Sequence, residues 1–271
     1  MLKQRILTAI VLIPLVFAAL WYLPNAVVAA IVGGLMLACA WEWAGFMSLS
    51  GSARAMYVAL TALLVAFAHP ALGGAQLLLP LLAAGLLWWL LATVWVLNYP
   101  AGFAQIKSRV WLYGVLGWAA ILPCYAAIWH LHGLEHGREL IFLLLFLVWA
   151  TDTGGYFAGK RFGRHKLAPL VSPNKTWEGL VGGVVLAMAL AAAAGYWVFE
   201  PPRVLAFTAL GLGVALVSVI GDLSVSMFKR QCGVKDTGRL FPGHGGALDR
   251  LDSLLSAAPV MLVAYVYLVA V

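Results

Sequence analysis

Asp222, Asp249 and Asp252 stand on either side of a basic, glycine-rich segment, an order of residue types suited to holding a divalent cation against phosphate. Residues 221–252 read GDLSVSMFKRQCGVKDTGRLFPGHGGALDRLD. Helical spacing of four and then three places Asp222, Ser226 and Lys229 along one face. Asp249 and Asp252, three apart, share a face if a helix has begun by that point. Arg230, Lys235, Asp236 and Arg250 add charge around them. Mg²⁺ uses one or two carboxylates and takes its other ligands from phosphates and water. Aspartates without Cys or clustered His favour it over zinc. Such an ion among Lys and Arg is the usual constellation for phosphoryl or nucleotidyl transfer. Two alternatives stay open: an intramembrane Asp can relay protons or ions, and an Asp–Lys pair can be a structural ion pair. His244, between Gly243 and Gly245, is a general acid, a donor to phosphate or a turn residue.

A second charged segment, residues 151–179, reads TDTGGYFAGKRFGRHKLAPLVSPNKTWEG. Asp152 closes an otherwise apolar run, which is costly unless it faces a partner or a wet cavity. We expect a loop next, in which Gly154, Gly155, Gly159 and Gly163 bring backbone N–H groups to an anion while Lys160, Arg161, Arg164 and Lys166 neutralise it. Ser172-Pro173 reads as a helix start, with Ser as N-cap and Pro first. Lys175 then opposes the helix dipole, a conflict that bound phosphate at that terminus would remove. Asn174, Thr176 and Glu178 complete the candidate substrate-binding set with Asp152, Lys160, Lys166, Ser172, Lys175 and Ser226.

Membrane helices must position these groups. Of 271 residues 64% are hydrophobic and 10% charged, with a mean hydropathy of +0.97. Soluble chains average roughly 45–50% and about 25%, which excludes an ordinary cytosolic enzyme, a disulfide scaffold and a disordered regulator. Apolar runs fall at about 6–23, 26–47, 56–69, 75–98, 110–130, 140–158, 178–199, 203–228 and 254–271. Nine crossings use roughly 180 residues, leaving no separate soluble domain. Of the 17 Lys and Arg, one set of alternate gaps holds all but Arg138 and Arg203. That asymmetry predicts nine spans and a cytoplasmic N-terminus, and merging any two spans spoils it. Met1 to Leu20 could pass for a signal peptide, but the spans that follow favour an uncleaved first helix. The net charge of +7 then reflects cytoplasmic loops and anionic lipid or phosphate partners rather than nucleic acid. Residues 152–178 and 222–252 carry 16 of the 27 charged side chains, so chemistry is expected in 141–271. Residues 1–140 are expected to pack and to carry dimer contacts.

The remaining notable residues read as structural. Cys39, Cys124 and Cys232 are odd in number and lack metal spacing, so they are expected to pack as small apolar groups. His132 and His136 are expected at the outer surface. Trp21-Tyr22, Trp41/Trp43, Trp88-Trp89, Trp111/Tyr113 and Tyr196-Trp197 suit interfacial belts. Met188–Ala194 is rich in alanine and suits close helix packing. No internal repeat points to an inverted-repeat transporter.

Taken together, Ser226-x-x-Lys229-Arg230-x₄-Lys235-Asp236 and Pro242-Gly243-His244-Gly245-Gly246-x-x-Asp249-Arg250-x-Asp252 resemble the signature of the phosphatidate cytidylyltransferases, the CDP-diacylglycerol synthases. SPNKTWEG and Gly221-Asp222 resemble the same family, so the detailed likeness covers about 145–255. The resemblance implies an all-α polytopic membrane enzyme that converts CTP and phosphatidate to CDP-diacylglycerol and pyrophosphate in a bacterial inner membrane. It implies dependence on Mg²⁺, a monovalent K⁺ beside it, a homodimer and a site on the cytoplasmic side. Carried over, Asp222 and Asp249 are the metal ligands, and Lys229, Arg230, Lys235, His244 and Arg250 surround the phosphates. An ion-coupled transporter would need polar groups on both sides of the membrane, which the one-sided charge disfavours. CDP-alcohol phosphatidyltransferases place several aspartates in one continuous motif, whereas here a loop divides them.

Overall fold

A computed structural model describes residues 2–69, 76–101, 109–199, 203–241, 243 and 245–269. Among these the chain forms nine α-helices: α1 (Leu2–Tyr22), α2 (Asn25–Phe46), α3 (Gly51–Ala68), α4 (Leu78–Leu97), α5 (Val110–His132), α6 (Gly137–Phe162), α7 (Trp177–Trp197), α8 (Val204–Gln231) and α9 (Leu248–Ala264). A π-helical turn, Tyr265–Val269, extends α9. Eight helices, α2 to α9, are long and apolar enough to cross a membrane, and α1 contributes the shorter apolar stretch Ile13–Tyr22. The architecture is thus nearly all helical. One departure is a two-stranded antiparallel hairpin, β1 (Lys166–Ala168) and β2 (Ser172–Thr176), between α6 and α7.

In lipid the outside of a bundle is as apolar as its inside, so small residues that allow close approach decide which faces meet. Helix α7 buries Gly179, Gly183, Ala187, Ala191 and Gly195, one every four residues. This stripe packs α6 against its first half and α8 against its second, in line with the expected packing of the alanine-rich run. Helix α3 buries only Tyr57, Thr61, Val65 and Ala68, leaving its other faces outward. Hydroxyls in the spans find local partners, as hydrocarbon favours: those of Thr61, Thr151 and Ser224 donate to carbonyls four residues back. Trp43 Nε1 donates to the Tyr113 carbonyl at 2.7 Å and Tyr57 Oη to that of Gly114 at 3.0 Å, joining α2 and α3 to α5.

Three expectations need correction. Gly154, Gly155 and Gly159 belong to α6, not to a loop, because they serve the contact with α7. A Cβ on Gly154 would come within 2.7 Å of the Gly182 carbonyl oxygen. Ser172 does not start a helix; it begins β2, and α7 starts at Trp177 with Thr176 as its N-cap. Thr176 Oγ1 accepts from Gly179 N at 3.0 Å, supplying the cap chemistry three residues beyond the proline. His132 is buried rather than at the surface, with ring nitrogens 3.1 Å from Asn25 Oδ1 and 3.0 Å from the Leu20 carbonyl. It ties α5 to the α1–α2 corner. Cys39 and Cys124 pack in the interior as expected, while Cys232 is half-buried.

Candidate active site

The end of α6, the start of α7, the end of α8 and the start of α9 come together and bring the charged segments to one place. Helix α9 begins at Leu248, six residues before the apolar run expected at 254. Asp249 and Asp252 therefore sit in its first turns on one face. Asp152, Asp222, Asp249, Arg250 and Asp252 line a single cavity of about 400 Å³, walled by Leu145, Val148 and Trp149. Carboxylates separated by up to 100 positions in sequence share this space.

The glycine in Gly221-Asp222 has a packing reason. A Cβ there would collide with the Asp252 carbonyl oxygen and Ser256 Oγ and stand 3.2 Å from the Ser253 Cα. Only glycine lets α8 approach α9 this closely, which brings the Asp222 and Asp252 carboxyl groups together on the wall of one cavity. Lys175 of β2 forms an ion pair with Asp222 Oδ2. Lys229 Nζ lies 2.8 Å from Asp249 Oδ1, with side chains 13% and 3% exposed. The other Asp249 oxygen accepts from Thr237 N at 2.8 Å and Gly246 N at 3.0 Å. Asp249 is thus held by three donors, whereas Asp252 accepts from the backbone at Ser253 N, at 2.8 Å.

Neighbouring carboxyl groups need compensating charge to ionise together; the Lys175 ammonium paired with Asp222 supplies part of it. Asp222 and Asp252 are of the residue type that could hold a divalent ion whose remaining ligands are water and phosphate. Among the described residues no group of three His, Cys, Asp or Glu is arranged to hold a metal by itself. The expected pair was Asp222 with Asp249; both line the cavity together with Asp252, and Asp249 is also engaged by Lys229.

Other candidates fall around this centre. A second cavity of about 210 Å³ lies between α6, α7 and the hairpin, shares Asp152 with the first and is lined by Asn174, Lys175 and Thr176. Glu178 instead braces the hairpin: its carboxylate accepts from His165 N at 3.3 Å and lies 2.7 Å from His165 Nδ1. Arg230 Nε donates to the Val171 carbonyl at 3.2 Å, fastening α8 to the same hairpin. Lys160 is exposed, 5.7 Å from the Tyr156 ring centroid, and Lys166 is exposed on β1. Ser226 is half-buried on α8, and Lys235 and Asp236 are exposed on the α8–α9 loop. His244 lies outside the described residues.

Sequence reasoning passed over Glu42. This α2 residue is 5% exposed, and its carboxylate accepts from Ala247 N at 2.9 Å, Leu248 N at 2.8 Å and Thr237 Oγ1 at 2.7 Å. The signal was present: Glu42 is the only charged residue in the apolar run 26–47, and an acid there demands a partner as Asp152 does.

The cytidylyltransferase family matches residues 3–268. A phosphatidate cytidylyltransferase of Pseudomonas aeruginosa is 44% identical over 266 residues, covering 96% of this chain and 95% of its own. One from Haemophilus influenzae is 36% identical over 278 residues, covering 96% of each. One from Brucella suis is 42% identical over 174 residues, covering 59% of this chain and 61% of its own. With a match spanning nearly every residue, helices and carboxylate-lined cavity included, the chain belongs to the cytidylyltransferase family.

Proposed function

We propose that this protein is a phosphatidate cytidylyltransferase of a bacterial inner membrane, making CDP-diacylglycerol and pyrophosphate from CTP and phosphatidate. The carrying observation is the 400 Å³ cavity in which Asp152, Asp222, Asp249 and Asp252 meet, with Arg250 on its wall and Lys175 and Lys229 paired to two of its acids. Full-length similarity to phosphatidate cytidylyltransferases supports the substrate assignment.

The chemistry asks little of a protein base. A phosphomonoester has a second pKa of about 6 and is mostly dianionic near neutral pH. A phosphatidate oxygen attacks the α-phosphorus of CTP, a new P–O bond forms, and the bond to the bridging oxygen of the β-phosphate breaks as pyrophosphate leaves. The protein must bring two mutually repelling polyanions together in line. Lys175, Lys229 and Arg250 offset that repulsion, and the lipid-embedded helices admit the acylated substrate beside the water-borne one. Mg²⁺, held by Asp222 with Asp252 or Asp249, would supply the remaining charge neutralisation, with K⁺ as a second cation. The cytoplasmic side, matching the basic loops, gives access to CTP, and a homodimer is the expected assembly.

Purified protein in mixed micelles with labelled CTP and phosphatidate tests this. Label is expected in the lipid phase only with Mg²⁺ present, with pyrophosphate released in equal amount. Asp222→Asn is expected to abolish it while folded protein is retained. Absence of lipid-borne label across detergents and divalent ions refutes the assignment.

A further inference from the structure

We propose that Glu42 is a positioning residue for the cation-binding carboxylates, although it lies in the N-terminal half and outside the cavity they line. The inference rests on the functional reading above and adds a residue to it. Glu42 and Asp249 divide one task. At the start of α9 the N–H of Gly246 goes to Asp249, and those of Ala247 and Leu248 go to the two oxygens of Glu42. Thr237 is shared in the same way, its N–H donating to Asp249 and its hydroxyl to Glu42. The two carboxylates therefore hold the loop end and the helix start as one unit. Free N–H groups of a helix's first turn need acceptors, and negative charge there is favoured by the dipole. Ala247, the residue before α9, offers no side-chain cap, so a carboxylate from α2 fills that role.

The loop packs tightly against this carboxylate. A Cβ on Gly238 or Gly246 would collide with the Glu42 carboxylate, so the loop closes directly onto it. Because Asp249 and Asp252 follow Leu248 by one and four positions, any shift of this helix start moves both. A group that orients metal-binding side chains without touching the ion commonly changes metal affinity or activity by about 10- to 100-fold when removed.

Three variants separate positioning from mere stability. Glu42→Gln keeps the volume but presents an amide that cannot accept at every donor. Glu42→Asp keeps the charge and shortens the reach by one methylene. Glu42→Ala removes both. We expect Glu42→Gln to raise the Mg²⁺ concentration for half-maximal activity about tenfold, with KM for phosphatidate unchanged. Glu42→Asp should recover much of the loss. Hydrogen exchange of residues 237–252 in the magnesium-free protein should speed up in Glu42→Gln while α5 and α7 keep their protection. Direct Mn²⁺ titration, followed by the ion's own resonance, should show the same weakening without turnover. An unchanged Mg²⁺ requirement in folded Glu42→Gln overturns the proposal, as does a loss that tracks only the folded fraction. Should wild-type protein bind Mn²⁺ yet transfer no cytidylyl group, the functional reading fails and the positioning claim is still decided by the titration and the exchange.

Discussion

Lys229→Met offers the sharpest physical test of the site. The ammonium is 2.8 Å from Asp249 Oδ1, and the Asp249 side chain is only 3% exposed. Methionine keeps most of the length and removes the charge, leaving a buried carboxylate with the two backbone donors Thr237 N and Gly246 N. Breaking one side of a buried ion pair costs about 3–5 kcal/mol. In a chain of this size that corresponds to a fall of roughly 6–20 °C in the unfolding midpoint. Adding Asp249→Asn removes the stranded charge and should restore most of the midpoint, but not activity, because a cavity carboxylate is then missing. Thermal unfolding in one detergent, read by tryptophan fluorescence beside the cytidylyl-transfer rate, measures both. A single variant within about 1 kcal/mol of wild type, the range of an exposed pair, would refute the buried pairing. So would a double variant no more stable than the single one.

Further outcomes are expected elsewhere. Gly221→Val forces α8 from α9 and separates Asp222 from Asp252, so activity should fall about 100-fold, the cost of roughly 1 Å of misplacement; wild-type kinetics would contradict the contact. Glu178→Gln should loosen the hairpin, seen as faster proteolysis between 163 and 176; an unchanged cleavage rate would contradict the brace. Burial pushes the Cys232 thiol up from its ordinary value, so maleimide labelling at neutral pH should be slow and should accelerate as pH rises beyond the usual thiol range. Cys39 and Cys124 should label only after unfolding. If all nine helices cross and the N-terminus is cytoplasmic, a reporter fused after Val271 should lie outside the cytoplasm; a cytoplasmic reporter would overturn the nine-span count.

The pattern of apolar runs was legible because crossing hydrocarbon fixes both length and composition, and the nine runs correspond to nine helices among the described residues. Helix ends were less so, since they are set by tertiary partners. Helix α9 starts early because Glu42 and Asp249 accept its first N–H groups, and Glu42 lies 205 residues before Ala247 in the chain. Glycines misled for a related reason. Gly154 and Gly155 beside Lys160 carry the composition of an anion loop, and only a neighbouring helix with its own glycine stripe reveals them as packing residues. Charged segments were legible as a site because acids in apolar runs demand partners, yet which acid faces which depended on how closely Gly221 lets two helices approach.

The link between Glu42 and the start of α9 also constrains how the chain is made. At a synthesis rate of about 5–20 residues per second, Glu42 emerges roughly 10–40 s before its donors. During that interval its carboxylate has neither of the backbone groups that later satisfy it, so α2 enters the bilayer carrying an unresolved polar group. The nascent protein must tolerate that group at the membrane border, wetted by water or lipid headgroups. Arrival of the ninth helix relieves it, and maturation of the centre becomes a late event of biogenesis rather than a gradual one.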